Sequence, residues 1–125
     1  MKSKLSLLLL LIAGGPAAAQ APPADPMADF YANKLVISVA TYWTADRYFA
    51  PDHTYRDEVT DEAGQSRASG TWTLEDGKVC ITRTQPEPDQ RYCNLGPGHR
   101  VGDRWTDRDP YTSNEVRFSL EPGRP

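Results

Sequence analysis

A chain of 125 residues, 38% hydrophobic and 25% charged, has room for one domain. Its 17 acidic residues outnumber the 14 basic ones, and the arginines are scattered, so the basic stripe that gives nucleic-acid binders their electrostatic affinity is missing. From Gln20 onward all 12 aromatic residues stand beside only 12 Leu, Ile and Val, which predicts a small, aromatic-rich core.

The first 19 residues have the three parts of a secretory signal: Lys2 and Lys4, the apolar run Leu5 to Ala13, and the small-residue site Ala17-Ala18-Ala19. Cleavage is expected after Ala19. Gly14, Gly15 and Pro16 interrupt the apolar run well short of the roughly 20 residues needed to cross a bilayer, so no membrane anchor is expected. A lipid-bearing cysteine is not expected either, since the first cysteine is Cys80. The predicted location is periplasmic or secreted. Loss of Lys2 and Lys4 would leave 12 basic against 17 acidic side chains, a net charge of −5.

Residues 20–28 read as a flexible, proline-rich arm (QAPPADPMA), and residues 29–125 as a single β domain. Met27 to Ala32 is compatible with one turn of helix. Leu35, Ile37 and Val39 then alternate with Val36, Ser38 and Ala40 at the period of a strand. Both faces are fairly apolar, which predicts a central strand. Thr41 to Ala45 reads as a strand connection. Arg47 to Ala50 and Thr54 to Thr60 flank the turn Pro51-Asp52-His53, where histidine takes the place of a more usual glycine and tolerates positive φ.

Asp76-Gly77 is the strongest hairpin signal in the chain. A two-residue loop there sets Glu75 opposite Lys78, Leu74 opposite Val79 and Trp72 opposite Ile81, which predicts a buried face of Trp72, Leu74, Val79 and Ile81. A further hairpin is expected from Lys78 to Leu95, followed by runs near Val101 to Thr106 and Glu115 to Leu120. The pattern predicts an all-β fold, a small antiparallel barrel or sandwich of about seven to eight short strands with one disulfide.

Cys80 and Cys93 fall on adjacent predicted strands, directly opposite if the loop turns symmetrically, and an exported compartment permits their oxidation. Their spacing is not the Cys-x-x-Cys of redox enzymes, so a structural disulfide is expected. His53 and His99 are turn residues outside any helical metal-binding spacing, and Ser66-Arg67-Ala68-Ser69-Gly70 is not a nucleophile elbow. Asp103, Asp107 and Asp109 fail the register of a calcium loop and are interleaved with Arg104 and Arg108, which predicts a salt-bridged hairpin end. No catalytic residue, metal ligand or cofactor is expected. Trp43 and Tyr42 are the candidate binding surface, since aromatics are enriched where proteins contact partners and ligands.

Phe30-Tyr31-Ala32-Asn33-Lys34-Leu35, Tyr48-Phe49-Ala50-Pro51-Asp52-His53-Thr54-Tyr55, Gly70-Thr71-Trp72 and Asp76-Gly77-Lys78-Val79-Cys80 together resemble small exported proteins of alphaproteobacteria. That resemblance implies no activity. The aspartate turn followed by Gly-x-Trp is also similar to lipocalin-like small β-barrels, although His53 replaces the usual glycine and Gly70-x-Trp72 sits in mid-chain. The functional expectation is a non-catalytic exported binding or interaction module, with a protein or a small apolar ligand as partner. A lipocalin-like carrier and a periplasmic hydrolase inhibitor are its two specific forms. An aromatic-lined cavity of roughly 300 Å³ or more would favour the carrier, and a fully packed interior would favour the protein-contact module.

Overall fold

The computed structural model describes residues 24–125; the leader, Met1 to Ala19, and residues 20–23 of the arm lie outside the described residues. A short helix, α1 (Ala28–Tyr31), precedes β1 (Lys34–Val39), β2 (Trp43–Phe49), β3 (Thr54–Asp61), β4 (Gly64–Glu75), β5 (Lys78–Gln85), β6 (Tyr92–Leu95), β7 (Arg104–Arg108) and β8 (Glu115–Glu121). All the strands belong to one sheet in the order β6-β5-β4-β3-β2-β1-β8-β7. Every pairing is antiparallel.

The last strand returns to the first. β8 pairs with β1 from Lys34↔Glu121 to Val39↔Val116, which curls the sheet into a nearly closed barrel and decides against a sandwich. Closure removes most of the unpaired edge that an open sheet would expose. The remaining seam lies between β6 and β7, which are consecutive in sequence but share no ladder. Side chains bridge it. The Tyr111 hydroxyl donates to the Arg91 carbonyl at 2.7 Å, the Tyr92 and Tyr111 rings meet edge to face at 4.7 Å, and Lys78 Nζ lies 3.4 Å from an Asp107 carboxylate oxygen.

One end of the barrel is plugged. Met27 and Phe30 enter it from the α1 segment and pack on Phe49, Trp72, Leu35 and Leu120, all buried. The Phe30 and Trp72 rings each contact Phe49 edge to face, at 5.7 and 6.0 Å, an arrangement that aligns ring edges with ring faces. Trp72 Nε1 donates to the Ala50 carbonyl at 2.9 Å, so the indole is buried without an orphaned N–H. Gly98 donates its N–H to the Pro26 carbonyl at 2.8 Å, and Met27 is fully buried. The packed body therefore starts at Pro26 and Met27.

The Asp76-Gly77 hairpin has the predicted register, with Glu75↔Lys78, Leu74↔Val79 and Trp72↔Ile81. Its predicted buried face needs one correction: Trp72 and Val79 are buried and Ile81 partly so, but Leu74 is 43% exposed. β3 begins at Thr54 opposite Thr71, so beyond that rung Leu74 has a neighbouring strand on one side only. Val79 is flanked on both sides, by Leu74 and Leu95.

Gly70 marks a second departure from plain alternation. The register of β4 on β5 shifts between Ser69 and Gly70, and a Cβ at Gly70 would lie 2.0 Å from the Thr82 carbonyl oxygen. The two backbones approach so closely that only glycine fits. Cys80 and Cys93 are directly opposed and bonded, anchoring the four-residue strand β6 to β5.

Candidate functional site

Opposite the plug, the barrel interior opens into a cavity of about 480 Å³. Its walls follow from strand alternation. On the paired strands β2 and β3, the inward rungs from the plug outward are Phe49↔Tyr55, Arg47↔Asp57, Ala45↔Val59 and Trp43↔Asp61. Phe49 and Tyr55 belong to the packed core, and Trp43 and Asp61 stand at the mouth. On the adjoining wall, Ile37 of β1 pairs with Phe118 of β8, and Val39 with Val116; all four line the cavity.

The rung above the core carries charge. Arg47 donates from Nε to Asp57 Oδ1 at 2.6 Å and from Nη2 to Asp57 Oδ2 at 2.7 Å, a bidentate pair. The two side chains retain only 10% and 5% of their exposure. The Arg47 guanidinium also lies 5.0 Å from the centre of the Tyr55 ring, beneath it in the barrel. Burial alone would push Arg47 towards losing its proton, but the Asp57 charge and its hydrogen bonds outweigh that and hold the guanidinium above its ordinary value. Burial also raises Tyr55, with Arg47 pulling the other way.

The third Nη1 edge of the guanidinium is free of this pairing. Among the described residues it donates to no acceptor, and it lies on the side of the guanidinium away from Asp57. Among the described residues Asp57 accepts only from Arg47.

The other charges around the cavity are nearer solvent. Arg83, opposite Gly70, turns into the β5–β6 loop, donating from Nε to the Glu87 carbonyl at 2.9 Å and approaching Asp89 at 3.4 Å. Asp109 uses one oxygen to accept the Tyr111 and Thr112 N–H groups. The lining as a whole carries Arg47, Arg67 and Arg83 against Asp57, Asp61, Asp89 and Asp109, so the balance is slightly negative.

Both predicted surface aromatics line this cavity. Tyr42 is 46% exposed in the turn before β2, and Trp43 is half-buried as its first residue. The expected connection over Thr41 to Ala45 is shorter than read from sequence: the turn lies at 40–42, with Ala40 at φ 52°, and β2 is already paired at Trp43. Cys80 and Cys93 lie outside the cavity lining, in their disulfide.

Neither histidine lines it. His53, at φ 70°, stacks on Trp72 at 4.1 Å with Nδ1 3.0 Å from the Trp72 carbonyl. His99 stacks on Trp105 at 3.4 Å. The aspartates of the predicted hairpin end are dispersed: Asp103 accepts the Arg100 N–H, Asp107 pairs with Lys78, and only Asp109 reaches the cavity. Among the described residues no three His, Cys, Asp or Glu side chains converge as a metal site, and no helix is long and apolar enough to cross a membrane.

Sequence reading passed over Arg47 and Asp57, although a signal was there. Arg47 shares parity with Ala45 and Phe49, and Asp57 with Tyr55 and Val59, so each is a charge on an apolar strand face. Drawing the β2–β3 register would have set the opposite charges on one rung. Comparison of the chain with protein-family models, with curated proteins and with solved structures found no match.

Proposed function

We propose that this protein is an exported, non-catalytic binding protein that takes a small molecule into the open end of its barrel. The observation that carries this reading is the cavity of about 480 Å³, walled by Ile37, Val39, Trp43, Val59 and Phe118. Its size falls in the range of small-molecule sites, and half of its lining residues are apolar or aromatic, the rest polar or charged. The leader pattern and the Cys80–Cys93 disulfide support export. Two of the four cavity aspartates, Asp57 and Asp89, are committed to arginine partners, which supports binding rather than acid–base chemistry.

The test is titration with the fluorescent apolar probe N-phenyl-1-naphthylamine. Saturable 1:1 binding with quenching of Trp43 is expected. Ala68→Trp, which places a ring inside the cavity from the β4 wall opposite Asp57, should abolish binding while the melting temperature stays near that of the parent. Absence of probe binding, or binding that survives Ala68→Trp in a folded protein, overturns the reading.

A further inference from the structure

We propose that the cavity takes a cationic amphiphile, with a protonated amine head held at its mouth and an apolar body reaching inward. This inference rests on the cavity being a ligand site. It is carried by two carboxylates of the lining, Asp61 and Asp109, that belong to no ion pair among the described residues. Strands alternate in direction around the barrel, so the β1–β2, β3–β4, β5–β6 and β7–β8 connections all fall at the open end. Asp61 closes β3 there, and Asp109 opens the β7–β8 turn. Each engages the backbone through Oδ1: Asp61 accepts the Ala63 N–H at 2.9 Å, and Asp109 accepts those of Tyr111 and Thr112 at 2.7 and 3.1 Å. Among the described residues neither Oδ2 accepts from a protein donor.

The arginines of the lining do not cancel these charges. Arg47 and Arg83 are paired with Asp57 and Asp89. Arg67 stands opposite Glu58, on the outward-facing rung between Asp57↔Ala68 and Val59↔Ser66, which face the cavity. An anionic head would therefore meet two unpaired carboxylates, with the interior guanidiniums of Arg47 and Arg83 already taken. A cationic head meets opposite charge and aromatic rings together. Trp43 is the direct strand partner of Asp61, and Tyr42 precedes it. Tyr92 serves the other side: burial first, and then the charge of Asp109, hold its hydroxyl above the ordinary value. Ring faces attract cations. Asp61 and Asp109 are both half-buried, so a head between them keeps part of its hydration and escapes the full cost of burying a charge. The body then lies against Ile37, Val39, Val59 and Phe118.

The experiment measures displacement of N-phenyl-1-naphthylamine by decylammonium and decanoate, which share a chain and differ in the sign of the head. Decylammonium is expected to bind about tenfold more tightly, the combined effect of two exposed carboxylates and a ring face. The preference should shrink as salt rises from about 0.01 M to about 1 M, because charges this near water are screened. In the double variant Asp61→Asn/Asp109→Asn, each asparagine Oδ1 still accepts the turn N–H groups, so the apolar probe should still bind while the two ligands come to near parity. Equal affinity of the two ligands in the parent, tighter binding of decanoate, a preference insensitive to salt, or one retained by the folded double variant overturns the head-group assignment and leaves the cavity standing as a site. Failure of the probe and both ligands to bind overturns the cavity itself.

Discussion

Arg47 and Asp57 lie almost wholly out of solvent, so their value to the fold depends on both being present. Arg47→Met alone strands a buried carboxylate and should cost about 3–5 kcal/mol, whereas Arg47→Met/Asp57→Leu should recover most of that loss; urea denaturation of the two variants checks the contrast. At the surface, Asp52 contributes to acid sensitivity. The Thr54 hydroxyl and N–H donate to Asp52 at 2.6 and 3.0 Å and hold its carboxyl below the ordinary value. A pKa lower in the folded than in the unfolded chain gives stability that is present above the unfolded value, about 3.9, and is lost as pH falls through the folded one. Thr54→Val removes the hydroxyl donor, so the Asp52 pKa should rise in an NMR titration. The stability gap between parent and variant should then close at pH below both values.

Among the elements, β4 and β6 depend on features that alternation does not describe. Gly70→Ala would drive a Cβ into the Thr82 carbonyl, backbone against backbone, and should lower stability by about 1–3 kcal/mol as other overpacking substitutions do, read as a lowered melting temperature. β6 has four residues and a ladder on one side only. Replacing Cys80 and Cys93 by alanine removes a link spanning 13 residues of chain and should cost about 3 kcal/mol on the chain-entropy argument, with hydrogen exchange rising first in β6. The strands and the Asp76-Gly77 register were legible because turn chemistry and the two-residue period are local. The exposure of Leu74 was not, because it depends on where β3 begins relative to β4. The charged rung was half legible: parity marks Arg47 and Asp57 individually, but their meeting requires a register fixed across the His53 turn, which lacks the familiar glycine.

For the whole molecule, the sheet order has a consequence in the language of folding kinetics. The barrel is closed by the ladder between its first and last strands, while the gap falls between two strands that follow each other in sequence. Contacts around the closing ladder join residues as far apart as Arg117 and Ala40, separated by 77 positions, and Gly123 and Asn33, separated by 90. Such distant pairings slow folding, because the chain must close a long loop before they reward it. A circular permutant that links residue 125 to residue 26 through a short flexible linker and opens at residues 99–100 would read β7-β8-β1-β2-β3-β4-β5-β6. Every ladder would then join sequence neighbours, and the seam would separate the new ends. In stopped-flow refolding the permutant should fold faster than the parent, and an unchanged folding rate would mean that β1 and β8 pair only after the rate-limiting step.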